Sequence, residues 1–280
     1  MITIAIMGGL WNQMFQYAFG RALALKNITE LLLDTKDYEN YTLHAYGLHH
    51  YNIQAQQEKV GWPHKLFRLV QAIRPLKKRT YIEVISNHFL SELLKPRGGN
   101  PYYLWYWQSP KYFEEFADTI RLELTPIHNP GEKNTETMKL MELENAVSIH
   151  IRRGDYVSDP NTNKRFWVCD LEYYRAAIEY IREKIDFPKF YIFTNDITWV
   201  RENFLLDPMV IVDWNGVEKN YEDIRLMSHC KHHIIANSSF SWWGAWLNPH
   251  KEKIVVAPKV WLLNGSDDAR DLLPENWIQL

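Results

Sequence analysis

The chain has 280 residues, with 32 basic and 34 acidic side chains and a formal net charge of -2, so it has no global attraction to nucleic acid or to anionic lipid. Any phosphate site must therefore be local. This length buries a large core and suits two ordinary domains better than one, while 12 Trp, 16 Tyr and 12 Phe serve core packing and stacking on sugars or bases equally well.

The two cysteines, Cys169 and Cys230, form no CxxC pair, which argues against a disulfide framework or a zinc ribbon and fits a reducing compartment. The N-terminal MITIAIMGG has no basic n-region and too short an apolar run for a signal peptide, and no window reaches the length of a membrane-spanning helix. The expectation is a cytoplasmic chain that opens on a strand.

Ile2 to Met7 is an apolar run ending at Gly8 and Gly9, the pattern of a buried parallel strand followed by a tight turn. Met14, Tyr17, Ala18, Arg21, Ala22 and Leu25 recur at helical spacing, with Asn12 as the expected N-cap, and Leu31 to Leu33 closed by Asp34 complete a βαβ unit. The turn GGLWNQ is not a GxGxxG fingerprint, but it directs backbone amides and Asn12 at a helix start, where an anion or an ordinary cap both fit.

From Tyr38 to about Asn100 the pattern is hard to read. His64 to Arg79, HKLFRLVQAIRPLKKR, carries seven basic or His positions interrupted by Pro75, and reads either as a membrane-surface segment or as a solvated helix face. Tyr102 to Phe113, YYLWYWQSPKYF, is the densest aromatic stretch. It is expected to be core for the most part, with one ring lining a site. TPIHNPGEKNTET, around Pro126 to Thr137, is the most linker-like segment.

The second half alternates clearly. Strands are predicted at Val147 to Ile151, Tyr191 to Thr194, Val210 to Val212, His233 to Ala236 and Ile254 to Ala257. Between them lie helices at Leu171 to Lys184, Trp199 to Phe204, Tyr221 to Cys230 and Phe240 to Leu247. Such alternation means a doubly wound parallel sheet, whose ligand crevice lies beyond the carboxyl ends of the strands. On that rim fall Arg152, Arg153, Gly154 and Asp155; Thr194, Asn195 and Asp196; Asp213; and Asn237, Ser238 and Ser239. Two guanidiniums there would hold phosphate oxygens or pair with nearby carboxylates such as Asp155. Ser238 and Ser239 before a helix would cradle phosphate or simply cap it.

His229, Cys230, His232 and His233 imitate a metal cluster, but alternation along a strand sends His232 and His233 to opposite faces, and the spacing fits no zinc pattern. There is also no DxD pair for a metal-dependent sugar transferase. The RGD tripeptide at Arg153 follows a buried strand in a chain read as unexported, which discounts an adhesion role.

HIRRGDY at His150 to Tyr156, GGLWNQMFQYAFGRALA from Gly8, WQSPKYF at Trp107 to Phe113, FYIFTND at Phe190 to Asp196 and NSSFSWWGAWLN at Asn237 to Asn248 are collinear over nearly the whole chain. Together they resemble the bacterial α-1,2-fucosyltransferases of glycosyltransferase family 11. One departure is Trp11, where the family turn usually reads GGLGNQ; it puts acceptor choice in doubt more than activity.

The resemblance implies an α/β, GT-B-like architecture, with two Rossmann-type domains whose parallel sheets face a central cleft. Residues 1–140 would form the acceptor side and 141–280 the GDP-fucose side. It implies inverting transfer of L-fucose from GDP-β-L-fucose to the 2-hydroxyl of a terminal galactose, with no cofactor and no metal. Its implied partners are the donor and a galactoside glycan, without nucleic acid, and peripheral contact with the inner membrane face stays open.

Similarity to α-1,6- and protein O-fucosyltransferases extends this to single positions. Their HxRR motif falls on His150, near the guanine, and on Arg152, at the diphosphate, with Arg153 following. Their DIxxxS run falls on Asp223, the guanine reader, and on Ser228. The NSSF turn brings Asn237, Ser238, Ser239 and Phe240 to the phosphates and base, and Asn12 reaches the diphosphate. Asp34 is the expected general base, and Arg152 and Asn12 the other catalytic residues. Another nucleotide-sugar enzyme of this fold, such as an epimerase, and a noncatalytic carbohydrate-binding protein are the competing readings.

Overall fold

The computed structural model describes residues 1–61, 65–84, 88–154, 157, 167–204, 206–261 and 269–280. The chain divides into two compact units, Met1–Ile127 with Arg270–Pro274, and His128–Ala269 with Glu275–Leu280.

The first unit runs β1 (Ile2–Ala5), α1 (Leu10–Lys26), β2 (Leu31–Asp34), β3 (Gln56–Glu58), α2 (Lys65–Ala72), β4 (Tyr81–Glu83), β5 (Tyr102–Leu104) and α3 (Ala117–Glu123). Its sheet is parallel throughout, in the order β3-β2-β1-β5-β4. β1 and β2 are buried along their whole length, which is why they read as unbroken apolar runs. Helix α1 starts earlier than expected: its N-cap is Gly9, not Asn12, which lies within the first helical turn. Inside the unit, Glu123 of α3 accepts from the Tyr17 hydroxyl at 2.5 Å and pairs with the Arg21 guanidinium at 2.7 Å. This nearly buried carboxylate thus has its charge and its lone pairs matched.

Strands β3 and β4 lie in the stretch that sequence patterning left unread. Each has three residues, and β3 is a fully exposed polar edge, so no hydrophobic alternation marks it. The aromatic stretch divides by role. Tyr102–Leu104 is the buried strand β5, and Trp107 is 2% exposed and stacks on Phe19 with ring centroids 4.4 Å apart, while Trp105 and Tyr106 are half-buried.

The second unit runs α4 (Glu132–Leu143), β6 (Asn145–Ile151), α5 (Leu171–Lys184), β7 (Pro188–Thr194), α6 (Ile197–Asn203), β8 (Met209–Ile211), α7 (Asn220–His229), β9 (His232–Ile234), α8 (Ser239–Leu247), β10 (Val255–Ala257) and β11 (Ile278–Gln279). Helix α4 begins inside the segment expected as a linker, leaving only residues 126–131 irregular before it, and it lies across the expected 140/141 boundary. The sheet order is β11-β10-β9-β6-β7-β8, again all parallel. Val147, Ile149 and Ile151 of β6 pack against Tyr174, Ile181, Phe190 and Ile192 to form its core. Asp170 and Asp196 cap α5 and α6 by accepting from the Tyr173 and Trp199 amides.

The strip Arg270–Pro274 returns to the first unit. There Asp271 accepts from Lys111 Nζ at 2.7 Å and from the Phe89 amide at 3.1 Å, and Leu273 is buried.

Candidate active site

In an open parallel sheet the ligand crevice forms where neighbouring strands have connections leaving in opposite directions. In the second unit that point lies between β6 and β9, and the residues beyond their carboxyl ends are Arg152 to Gly154 and Ala236 to Ser239. His150, on the last turn of β6, is buried, with Nδ1 2.9 Å from the Ser241 hydroxyl and its ring 5.1 Å from that of Phe240. Burial, reinforced by the Arg152 charge, lowers its pKa to about 3, so the imidazole is neutral. A neutral ring can recognise a base or support a neighbour, but it brings no positive charge to a phosphate.

Arg152 follows two residues on and is half-buried. Arg153 is held from three sides. Its amide donates to Asn195 Oδ1 at 2.9 Å, its Nε lies 3.6 Å from Asp196 Oδ2, and its guanidinium sits over the Trp199 ring at 4.0 Å. Gly154 suits a close approach, since a Cβ there would crowd the Asn195 side-chain amide. The turn is thus clamped through Arg153, Gly154 and Asn195, which fixes the backbone that carries Arg152. Asp155 and Tyr156 lie outside the described residues, and with them the expected Arg–Asp155 pairing and the last residue of the RGD tripeptide.

Across the switch point, Asn237 is buried and its amide donates to the Trp167 and Trp261 carbonyls at 2.7 and 2.9 Å. That side chain binds loops together, whereas the sequence pointed to a ligand contact. Ser238 occupies the N-cap of α8 without a side-chain cap bond, and Ser239 is half-buried at the first helical position. The first amides of α8 therefore face outward with the positive end of the helix dipole, which suits an anion. Phe240, at the second position, is buried against His150.

Asp223, in the first turn of α7, accepts from Asn215 Nδ2 at 2.8 Å through Oδ1. Burial is the main reason its pKa rises to about 7. The Asn215 bond works against the rise and the neighbouring Glu222 charge adds to it. The support extends further. Asn134 of α4 accepts from Trp214 Nε1 at 2.7 Å and donates to Asn215 Oδ1 at 3.0 Å, and Glu222 pairs with Arg225 at 3.0 Å. Asn134, Trp214 and Asn215 are not visible as site residues in the sequence. The only local signal is the Asn215-Gly216 turn. Ser228 donates to the Arg225 carbonyl at 2.8 Å within α7.

In the first unit the switch point lies between β1 and β5. Gly8, at φ +76°, turns the chain there, and its carbonyl accepts from Gln13 Nε2 at 3.0 Å and the Tyr38 hydroxyl at 2.6 Å. Asn12 Oδ1 accepts from Gln108 Nε2 at 2.9 Å, joining the first turn of α1 to the loop after β5. Trp11 packs edge-on against His44.

Asp34 does not fit its expected role as general base. Its carboxylate is 2% exposed and accepts four hydrogen bonds, from the amides of Lys36, Val60 and Gly61 at 3.0 Å each and from the Tyr102 hydroxyl at 2.8 Å. Every lone-pair direction is used, so no acceptor is left for a substrate hydroxyl. Asp34 is a structural brace.

The histidine cluster is likewise structural. His233 is bracketed by Ser148 and Asn248 at 2.8 Å each, and His232 Nδ1 accepts from the Ile254 amide at 3.1 Å. Among the described residues no three His, Cys, Asp or Glu side chains converge as metal ligands.

Two parallel sheets with polar, glycine-bearing rims at their switch points define a GT-B-like glycosyltransferase fold. The solved NodZ α-1,6-fucosyltransferase from Bradyrhizobium, soaked with GDP-fucose, shares it at a TM-score of 0.52 and 11% identity, over 89% of this chain and 92% of that one. The chain belongs to glycosyl transferase family 11, whose model matches residues 1–280.

An α-1,2-colitosyltransferase of Escherichia coli is 34% identical over 100% of this chain and 98% of its own length. The O-antigen biosynthesis glycosyltransferase WbnK of the same organism is 30% identical, over 98% of this chain and 99% of its own. Galactoside α-(1,2)-fucosyltransferase 1 of Lagothrix lagotricha is 27% identical over 49% of this chain and 40% of its own length.

Proposed function

We propose that the chain transfers L-fucose from GDP-β-L-fucose to the 2-hydroxyl of a terminal galactose, with inversion and without a metal ion. The observation that supports α-1,2 transfer is the end-to-end likeness to an α-1,2-colitosyltransferase, because it covers both units of this chain and not the nucleotide side alone; L-fucose as the sugar rests on the resemblance of the motifs. In the proposed step the acceptor O2 attacks the anomeric carbon from the face opposite GDP. The carbon–oxygen bond to the diphosphate breaks with its electron pair, and the hydroxyl proton leaves to the phosphate or to water. Negative charge grows on the leaving group, so preorganised donors there lower the barrier most. Arg152 and the outward amides at the start of α8, with Ser238 and Ser239, supply them. Asp223 reads guanine by accepting from N1–H and the 2-amino group, and its bond to Asn215 supports that by leaving Oδ2 for the base.

A second reading changes the sugar. Colitose is L-fucose without its 3-hydroxyl, and the relative carrying that name matches this chain over its full length. The test offers GDP-fucose and GDP-colitose separately, with lactose and other galactosides, in EDTA, and determines the linkage of the product. α-1,2-Fucosyl galactoside formed in EDTA is the expected result. Transfer of colitose alone selects the second reading, loss of transfer restored by a divalent ion removes metal independence, and no transfer with either donor overturns both readings. In a thermal-shift assay GDP should stabilise the protein and UDP or ADP should not. Equal shifts for all three would remove Asp223 as the guanine reader.

A further inference from the structure

We infer that helix α2 and the turn after it form a patch that docks on an anionic lipid surface. The patch presents apolar side chains outward and a polar one inward: Leu69, Val70 and Ile73 are 57%, 45% and 85% exposed, whereas Gln71 is 2% exposed. Gln71 Oε1 accepts from the Thr80 amide at 3.0 Å, which fixes the rotation of the helix. The turn is pinned as well, with Arg79 donating to the carbonyls of Arg74 and Ala72 at 2.8 and 2.6 Å. Leu69 and Ile73 are four residues apart and Val70 falls between them, so the three form one contiguous apolar surface.

Charge decides the occupant. The sequence from Lys65 to Arg79 holds six lysines and arginines, and no carboxylate occurs between Glu58 and Glu83, in a chain whose formal net charge is -2. Arg79 is used on backbone carbonyls, while Arg74 and Lys78 are exposed. Protruding aliphatic side chains in a cation-rich segment that itself holds no carboxylate match a bilayer that is negative at its headgroups and apolar just beneath. A protein partner of the same charge would need carboxylates in register, whereas a fluid lipid surface arranges its phosphates around the cations. No described helix is long and apolar enough to cross a membrane, so the contact is peripheral. It is independent of which sugar is transferred.

The experiment is co-sedimentation of the full chain with phosphatidylcholine vesicles, with and without phosphatidylglycerol, at low and high salt. Sedimentation with the anionic vesicles alone, weakened by salt, is expected. Ile73→Asp and Lys78→Glu should each reduce it about tenfold with the circular dichroism spectrum unchanged. Both positions are exposed, so the fold should survive. The inference is overturned if wild-type protein ignores anionic vesicles or if both variants sediment like wild type. It is also overturned if size-exclusion chromatography shows a dimer that Ile73→Asp dissociates, because the face would then belong to a second copy of the chain.

Discussion

The Asp34 carboxylate and the Tyr102 hydroxyl meet at 2.8 Å, joining β2 and β5 across the end of β1, the strand between them. Burial and the adjacent carboxylate push the Tyr102 pKa well above the ordinary phenol value, so the hydroxyl stays a donor. Asp34→Asn sets an amide NH2 against at least one backbone N–H that cannot accept from it, whichever way the amide is turned, and an unmatched buried polar group costs about 1–3 kcal/mol. The variant should melt several degrees lower, yet turn over within a few-fold of wild type well below its melting temperature. A fall of about 100-fold or more in kcat with the fold intact would restore Asp34 as the base.

Arg152→Ala should lower kcat by about 100- to 1000-fold, the usual cost of removing a donor aimed at developing charge. Arg152→Lys keeps the charge but loses the planar fork, and should fall in between. Steady-state kinetics beside a circular dichroism spectrum measure this, and near-normal turnover of the alanine variant would end the assignment.

Gly154→Ala tests the clamp and not the chemistry. The added Cβ must displace Asn195, so GDP affinity should drop about tenfold, a magnitude ordinary for overpacking a tight contact. Asn195→Ser in the same chain makes room and should recover part of the loss. Calorimetric titration with GDP compares the three proteins, and a Gly154→Ala chain that binds GDP like wild type would show that the turn has slack.

Asp223 predicts opposite pH trends for binding and stability. Its folded pKa of about 7 exceeds the ordinary 3.8, so between these values the folded chain holds a proton that the unfolded chain has released. The unliganded protein should therefore lose stability as pH rises through that window. GDP affinity should rise over the same range, because the ionised carboxylate is the better acceptor for guanine. Asp223→Asn should flatten both trends and raise the melting temperature at pH 8 by about 2–4 °C, the shift that roughly 1 kcal/mol produces at this size. Parallel pH profiles in variant and wild type would rule out the linkage.

The second sheet was readable in the sequence because strands buried on both faces are apolar runs, and the helices between them repeat at their own period. Gln56–Glu58 offered no such mark, and neither did the start of α1, where a glycine took the place expected for Asn12. The rim was legible as positions but not as roles. Asp34 stands at a strand end like a catalytic carboxylate, and only partners 26, 27 and 68 residues away show it to be saturated. Asn237 is the same lesson, since its amide is committed to carbonyls 70 and 24 residues distant. Asn134 and Asn215, which support Asp223, are polar residues of ordinary type whose meaning lies in a meeting 81 residues apart.

The short strip Arg270–Pro274 bears on how such a chain can be recombined. The first unit takes Asp271 and buried Leu273 from a strip that interrupts the second, so a single cut at 127/128 leaves it without its last piece and leaves Lys111 facing no carboxylate from that strip. Grafting the first unit of a relative onto this second unit would require three junctions, at 127/128, 269/270 and 274/275, and an exchange of both segments together. Evolution by swapping whole halves meets the same constraint, which favours change by point substitution over trading modules.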